Sequence, residues 1–308
     1  MKKFLLGIIA LFSLFLVSCI NQENKDDYKL KVSAPGGAPA IATAELATTY
    51  QDDYEFTLGL GADALQPLFV NKSSDVIIAP INLGAKLYTK NASFKLAAVL
   101  TWGNLFFASQ KEDFTLVSMN DSDVTFFGEG TVNDVVIKYV LSENNISPKS
   151  ITYLGSTSET QTTLITNSDA IVLIAEPALS VAKTNNANIK SISVQELYKE
   201  ASGNNEFPQA GCFINVNTLI DHKSVVNQFL KRLEESTTKC ATDTETIAGY
   251  AEALTLGGKK AILVKAIPNC NIKFVKAKNA KAQLEFAVSI NQALFGGANP
   301  VEEFYYEY

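Results

Sequence analysis

The sequence predicts an α/β protein built from largely parallel, helix-flanked sheets. Three observations carry this. Apolar runs at 74–79, 95–100 and 170–174 are continuous rather than alternating, as in strands buried on both faces. Segments of helical period follow such runs after a short turn; at 132–144, Val135, Val136, Tyr139 and Val140 share one face. The strand–helix alternation then continues through the chain, as crossover connections require. With 308 residues, 47% of them hydrophobic, there is material for one large domain or for two lobes with separate cores.

Lys2 and Lys3 precede an apolar run over 4–17 that ends at Ser18-Cys19. A basic start, a run of that length and small residues at its end make an export signal (1–18) rather than a spanning helix. Leu16-Val17-Ser18-Cys19 is similar to the lipobox of exported bacterial lipoproteins. That resemblance implies lipidation of the Cys19 thiol, cleavage after Ser18 and a place on the outer face of the cytoplasmic membrane. Residues 19–28, ending in the polar stretch INQENKDDY, read as a lipid-anchored tether.

In the segment 29–46, Leu30, Val32 and Ala34 alternate as a strand, Pro35-Gly36-Gly37-Ala38-Pro39 breaks it, and 40–50 has helical character. A helix start directly after a glycine turn collects free N–H groups at the positive end of the helix dipole. Gly36 and Gly37 lack a Cβ, so a ligand can approach the backbone there. The same order recurs: strand 54–59 and helix 62–69, then strand 74–79, Pro80 and helix 83–88. Strands 95–100 and 105–109 flank Thr101-Trp102-Gly103-Asn104. Strand 124–127 leads through Gly128-Glu129-Gly130-Thr131 to helix 132–144, and strand 151–154 through Gly155-Ser156-Thr157-Ser158 to helix 159–167. Strand 170–174 precedes Glu176-Pro177 and helix 178–184. Strand 209–216, helices from about 221 to 235, 241–259 and 260–266, strand 271–275, helix 277–295 and an acidic aromatic tail complete the chain.

Composition excludes several functions. The formal net charge is −6 with no basic stripe, which argues against nucleic-acid binding. Arg232 is the only arginine, so a bidentate guanidinium clamp on an anion is nearly excluded. His222 is the only histidine, no cluster has metal-ligand spacing, and no cofactor is implied. Nucleophile elbow, phosphate loop and Cys-x-x-Cys are all missing. Cys212, Cys240 and Cys270 permit at most one disulfide in the mature chain, with Cys240–Cys270 the pairing considered.

SAPGGAPA at 33–40, DVIIAP at 75–80, DAIVLIAEPA at 169–178, FPQAGCFIN at 207–215, NIKFVKAKNAK at 271–281 and GGANPVEEFYY at 296–306 occur in this order. Together with the lipobox they resemble the substrate-binding lipoproteins of ATP-binding-cassette (ABC) importers, in the branch that takes sulfonates, nitrate and thiamine-pyrimidine precursors. One departure is Asn269-Cys270 before Asn271, where relatives often carry arginine.

The resemblance implies a two-lobed, type II periplasmic-binding-protein-like fold of mixed sheets flanked by helices with a two-strand hinge. Lobe 1 would span 29–102 and 216–308, lobe 2 103–210, with crossings near 102–109 and 208–215. It implies a monomer that binds a small solute between the lobes and hands it to a permease and its ATPase subunit, and that is not an enzyme. Ligand contacts would come from Gly36, Gly37, Ala38, Asn82, Trp102, Asn104, Gly130, Thr131, Ser156, Ser158, Glu176 and Gln209. Trp102, the only tryptophan, would be a stacking platform for a heteroaromatic solute; a sulfonate or nitrate held by backbone N–H groups is the competing ligand. The alternatives are a lipid-anchored surface protein on the same fold or an enzyme of the pyrimidine-synthase or menaquinone-pathway type.

Overall fold

The computed structural model describes residues 27–308 except Asn204. The export signal, the lipobox with Cys19 and most of the tether lie outside the described residues. The strands are β1 (Leu30–Pro35), β2 (Tyr54–Leu60), β3 (Val76–Pro80), β4 (Phe94–Thr101), β5 (Leu105–Ser109), β6 (Asp123–Phe127), β7 (Ser150–Leu154), β8 (Ile171–Ala175), β9 (Lys190–Ser193), β10 (Ala210–Asn215) and β11 (Ile272–Lys276). The helices are α1 (Ala38–Ala42), α2 (Ala44–Thr49), α3 (Ala62–Asn71), α4 (Ile81–Tyr88), α5 (Val132–Glu143), α6 (Thr157–Thr166), α7 (Ala178–Asn185), α8 (Val194–Ala201), α9 (Val216–Asp221), α10 (Lys223–Thr242), α11 (Thr244–Ala253), α12 (Lys260–Ala266) and α13 (Lys281–Ile290).

Two mixed sheets result. The first has the order β11–β4–β10–β3–β1–β2 and the second β7–β6–β8–β5–β9. In the first, β1 runs parallel to β2 and β3, while β10 is antiparallel to β3 and β4. In the second, β6 runs parallel to β7 and β8, and β5 is antiparallel to β8 and β9. The continuous apolar runs lie centrally: Val76–Ala79 of β3 and all of β8 are buried, as strands covered on both faces must be.

The chain passes from the first sheet to the second through 102–104 and returns between α8 and β10. Residues 105–109 are already paired in the second sheet and 210–215 in the first, so the passages themselves are short. One apolar core runs through them: Phe213 and Leu96 of the first sheet, Trp102 and Phe207 at the passages, and Phe107 and Phe126 of the second belong to it. α13 packs on α5 and α12 on α7, so helices of the two halves also meet directly.

Several elements differ from the sequence reading. The helix expected over 40–50 is two helices, broken at Thr43, whose hydroxyl turns back to the Ala40 carbonyl at 2.9 Å. The final helix is a short α13 between 3₁₀ turns at Ala277–Ala280 and Gln292–Phe295. β9 and α8 were not expected. β9 is a polar edge strand without apolar periodicity; α8 carries a start signal, Ser193 capping the Glu196 N–H at 3.3 Å. Cys212, Cys240 and Cys270 are buried free thiols, so the Cys240–Cys270 pairing is not formed.

Candidate functional site

Register decides where a site can be. Ala210 at the start of β10 pairs with Pro80 at the end of β3 and with Thr101 at the end of β4. Since β1 and β2 run parallel to β3, the loops after β1, β2 and β3 leave the first sheet at that same edge. In the second sheet, Leu105 at the start of β5 pairs with Ala175 at the end of β8, and β6 and β7 end alongside. The carboxyl ends of the parallel strands in both sheets therefore meet the two chain passages. In open α/β sheets this is the position of the ligand crevice.

Gln209 ties the passages together. Its N–H donates to the Thr101 carbonyl at 2.9 Å, and its carbonyl accepts from the Ile81 N–H at 3.1 Å. Its side-chain Oε1 accepts from the Asn104 N–H at 3.3 Å, and its Nε2 donates to Asn133 Oδ1 at the start of α5, also at 3.3 Å. Asn104 and Glu176 form a second clamp: the Glu176 N–H donates to the Asn104 carbonyl at 3.0 Å, and Asn104 Nδ2 returns to the Glu176 carbonyl at 3.0 Å.

Trp102 is only 2% exposed. Its backbone N–H bonds the Asn271 carbonyl, its indole N–H donates to the Lys273 carbonyl at 3.3 Å, and the Lys273 ammonium lies 4.9 Å from its ring centre. The ring is thus engaged in packing the passage and is not open to a solute as the expected platform requires. Gly103 beside it takes φ +71°, and Asn271 Nδ2 donates to its carbonyl.

The helix starts behave differently in the two halves. After β1, Gly37 takes φ +81° and the space where a Cβ would stand is open, with Gly36 exposed and Ala38 buried. In the second half the chain occupies its own donors. Asp134 Oδ2 accepts from the Gly130 N–H at 3.2 Å and from Lys138 at 2.9 Å, and Tyr153 donates to its other oxygen. Thr131 caps α5 in extended backbone while its hydroxyl donates to the Gly128 carbonyl at 2.6 Å. Glu159 accepts from the Gly155 N–H and the Ser156 hydroxyl, and Ser156 Oγ accepts from the Glu159 N–H. Ser158 is exposed in the first turn of α6. An acidic residue in the first turn neutralises each of these two helix starts.

Glu176 is 3% exposed, and its carboxylate accepts from the Ser180 N–H at 3.0 Å and the Ser180 hydroxyl at 2.9 Å. Burial pushes its carboxyl above the ordinary 4.5; the Ser180 donors and Lys183 act the other way. The folded state thus holds the proton more tightly than the unfolded chain. This stabilising contribution is full below pH 4.5 and is lost as pH rises through the raised value. Glu176→Gln removes that dependence. The stability of the Gln variant relative to wild type should therefore improve from pH 4.5 to pH 7 in thermal melts. A difference that instead worsens with pH would show that the carboxylate is favoured by folding.

Among the described residues, the buried side-chain atoms with no hydrogen-bond partner include the oxygens Asn82 Oδ1, Thr101 Oγ1 and Asn104 Oδ1, and the donor Nε2 of Gln195, whose Oε1 accepts the Phe207 N–H. Asn82 follows Ile81 in the first turn of α4, while Thr101 and Asn104 bond Gln209 themselves. Thr101, Asn133, Asp134 and Glu159 were not singled out from sequence. The signal for the two acids was an acidic residue four positions after a turn glycine, Gly130 and Gly155.

No protein-family model and no curated protein matches the chain. Solved structures do. An ABC transporter protein from Parabacteroides distasonis is 21% identical, with a TM-score of 0.77 over 91% of this chain and 99% of that one. The ligand-binding component of an ABC-type import system from Staphylococcus aureus, solved with zinc bound, is 14% identical with a TM-score of 0.71, covering 91% and 96%. The periplasmic aliphatic sulphonate-binding protein of Escherichia coli is 12% identical with a TM-score of 0.67, covering 91% and 92%. The chain has the periplasmic-binding-protein fold. Within it, the described residues contain no group of three or more His, Cys, Asp or Glu able to hold a metal ion, and no helix long and apolar enough to cross a membrane.

Proposed function

We propose that the chain is the solute-binding component of an ABC importer, capturing a small molecule between two lobes and delivering it to a permease and its ATPase subunit. The observation that carries this reading is the convergence of both sets of parallel-strand ends on the passages, where Asn104 and Thr101 keep unpartnered buried polar atoms. Buried polar groups are ordinarily paired, and an exception at a crevice marks a place for a ligand group. Lobe 1 is residues 29–102 with 216–308, lobe 2 is 103–210, and closure takes place about the passages. The protein is a binder, not an enzyme. It acts as a monomer outside the cytoplasmic membrane, held there by lipid on Cys19.

A thermal-shift screen of residues 27–308 against small solutes tests this. A ligand at 100 times its dissociation constant should stabilise the fold by about 2.7 kcal/mol.

A further inference from the structure

The edge of the first sheet opposite the crevice has a character of its own. There the starts of β1, β3 and β4 and the end of β10 lie side by side. The Asp75 N–H donates to the Lys31 carbonyl at 2.9 Å, the Asn215 N–H donates to the Asp75 carbonyl at 2.8 Å, and Asn215 pairs with Phe94. The chain enters the fold here. Tyr28 stacks on His222 with ring centres 3.7 Å apart. Asp75 accepts from the Tyr28 hydroxyl at 3.0 Å, the Lys31 N–H at 2.8 Å and the Thr218 hydroxyl at 2.7 Å. Because α3 and α4 run away from the crevice, they end at this edge, and α9 begins there. They bring lysines to it. Lys72 follows α3, Lys86 and Lys90 lie at the end of α4, Lys95 is near the start of β4, Lys223 opens α10 and Lys29 precedes β1. None of these six has an ion-pair partner among the described residues.

The acids of the same edge are fewer. Asp27, Asp52 and Asp221 are exposed, and Glu303 precedes Phe304, whose ring meets that of Tyr88 at 5.2 Å. Glu55 stands beside Lys31 across β1 and β2, and Asp53 is paired with Arg232 at 2.7 Å. Six unpaired lysines against four acids reverse the sign of a chain whose net charge is −6. Apolar side chains stand among them. Val70 on α3 is 61% exposed and Ile220 on α9 is 73% exposed. α3 covers the Ile77 and Phe213 face of the sheet and α9 the Ile78 and Ile214 face, so the two flank the edge. Beside Val70, a cavity of about 140 Å³ is lined by Phe69, Leu87, Tyr88, Lys90 and Phe94. Lysines around exposed aliphatic side chains, where the chain enters the fold, suit an anionic bilayer surface. Near 0.1 M salt, charges more than about 10 Å from that surface are screened, so the acids elsewhere do not oppose contact. We propose that this edge rests on anionic phospholipid, with Val70 and Ile220 at headgroup level and the lysines on the phosphates. The crevice, at the opposite edge of the sheet, then faces away from the bilayer. This contact goes beyond solute capture and needs no lipid on Cys19.

Co-sedimentation of residues 27–308, which hold both sheets and the whole core, tests it. One vesicle preparation is phosphatidylcholine alone; the other is equal parts phosphatidylcholine and phosphatidylglycerol. At about 0.1 M salt the protein should bind the mixed vesicles only, and about 1 M salt should release it. Replacing Lys72, Lys90 and Lys223 together with Gln should weaken partitioning about 100-fold, about fivefold for each lysine. Replacing Lys149, Lys190 and Lys265 together with Gln gives the same net charge away from this edge and should bind as wild type. Ile220→Ser should weaken partitioning severalfold, because a side chain no longer leaves water. All these side chains are exposed, so melting temperatures should stay at the wild-type value. No binding to the mixed vesicles, equal binding to both preparations, equal weakening by the two lysine sets, or an unaffected Ile220→Ser overturns the proposal. So does a dimer in the absence of vesicles that Ile220→Ser dissolves, since a second copy would then cover the edge. None of these outcomes bears on solute capture, which the thermal-shift screen decides.

Discussion

Replacing Trp102 with Ala should destabilise the protein by about 3–5 kcal/mol, the usual cost of emptying a buried aromatic site. The side chain is essentially buried, and removal also strips the Lys273 carbonyl of its indole donor. For a chain of this size that corresponds to a fall in melting temperature on the order of 10 °C. Differential scanning calorimetry of ligand-free residues 27–308 reads it directly. A solute platform would behave otherwise: the melting temperature would hardly move and the loss would appear only in affinity. An unchanged ligand-free melt would therefore contradict the packing role that the passage geometry assigns to Trp102.

Gly103→Ala should be the next most damaging change. At φ +71° a Cβ costs about 1–2 kcal/mol of backbone strain. It would also stand 2.4 Å from Gln195 Oε1, the atom that accepts the Phe207 N–H at 3.3 Å. Moving Gln195 aside unpairs a buried donor, at about 1–3 kcal/mol. Gly37→Ala separates the two causes, since Gly37 has φ +81° with nothing within 4 Å of the added carbon. In urea titrations both variants should lose midpoint, Gly103→Ala clearly more. Equal losses would mean that the contact with Gln195 contributes nothing.

The contrast between these two glycines shows which features local sequence can reveal. Gly36-Gly37 was legible because a strand, a glycine turn and a helix start follow one another within a dozen residues. The continuous apolar runs of β3 and β8 were legible because burial on both faces leaves no polar alternation. β9 was not, since Lys190-Ser191-Ile192-Ser193 is an edge strand specified by its partner β5 rather than by its own pattern. Trp102 was read as a platform; the positions of Asn271 and Lys273, some 170 residues away, make it a packing residue instead. Asn104 and Gln209 were named as crevice residues, but their mutual bond, and the unpartnered oxygens of Asn104 and Thr101, belong to tertiary structure. The helix starts at Gly130–Thr131 and Gly155–Ser158 were seen as donors in waiting. Asp134 and Glu159 already fill them, which turns an anion-friendly motif into a neutral one.

The solute screen bears most directly on the central claim that this fold closes on a small molecule where its two sheets meet. Residues 27–308 should show a saturable, dose-dependent rise in melting temperature with at least one low-molecular-weight solute, and Thr101→Val should require a higher concentration of it. A broad screen in which no solute moves the melt, together with tight binding of the same protein to a macromolecular partner, would contradict the account.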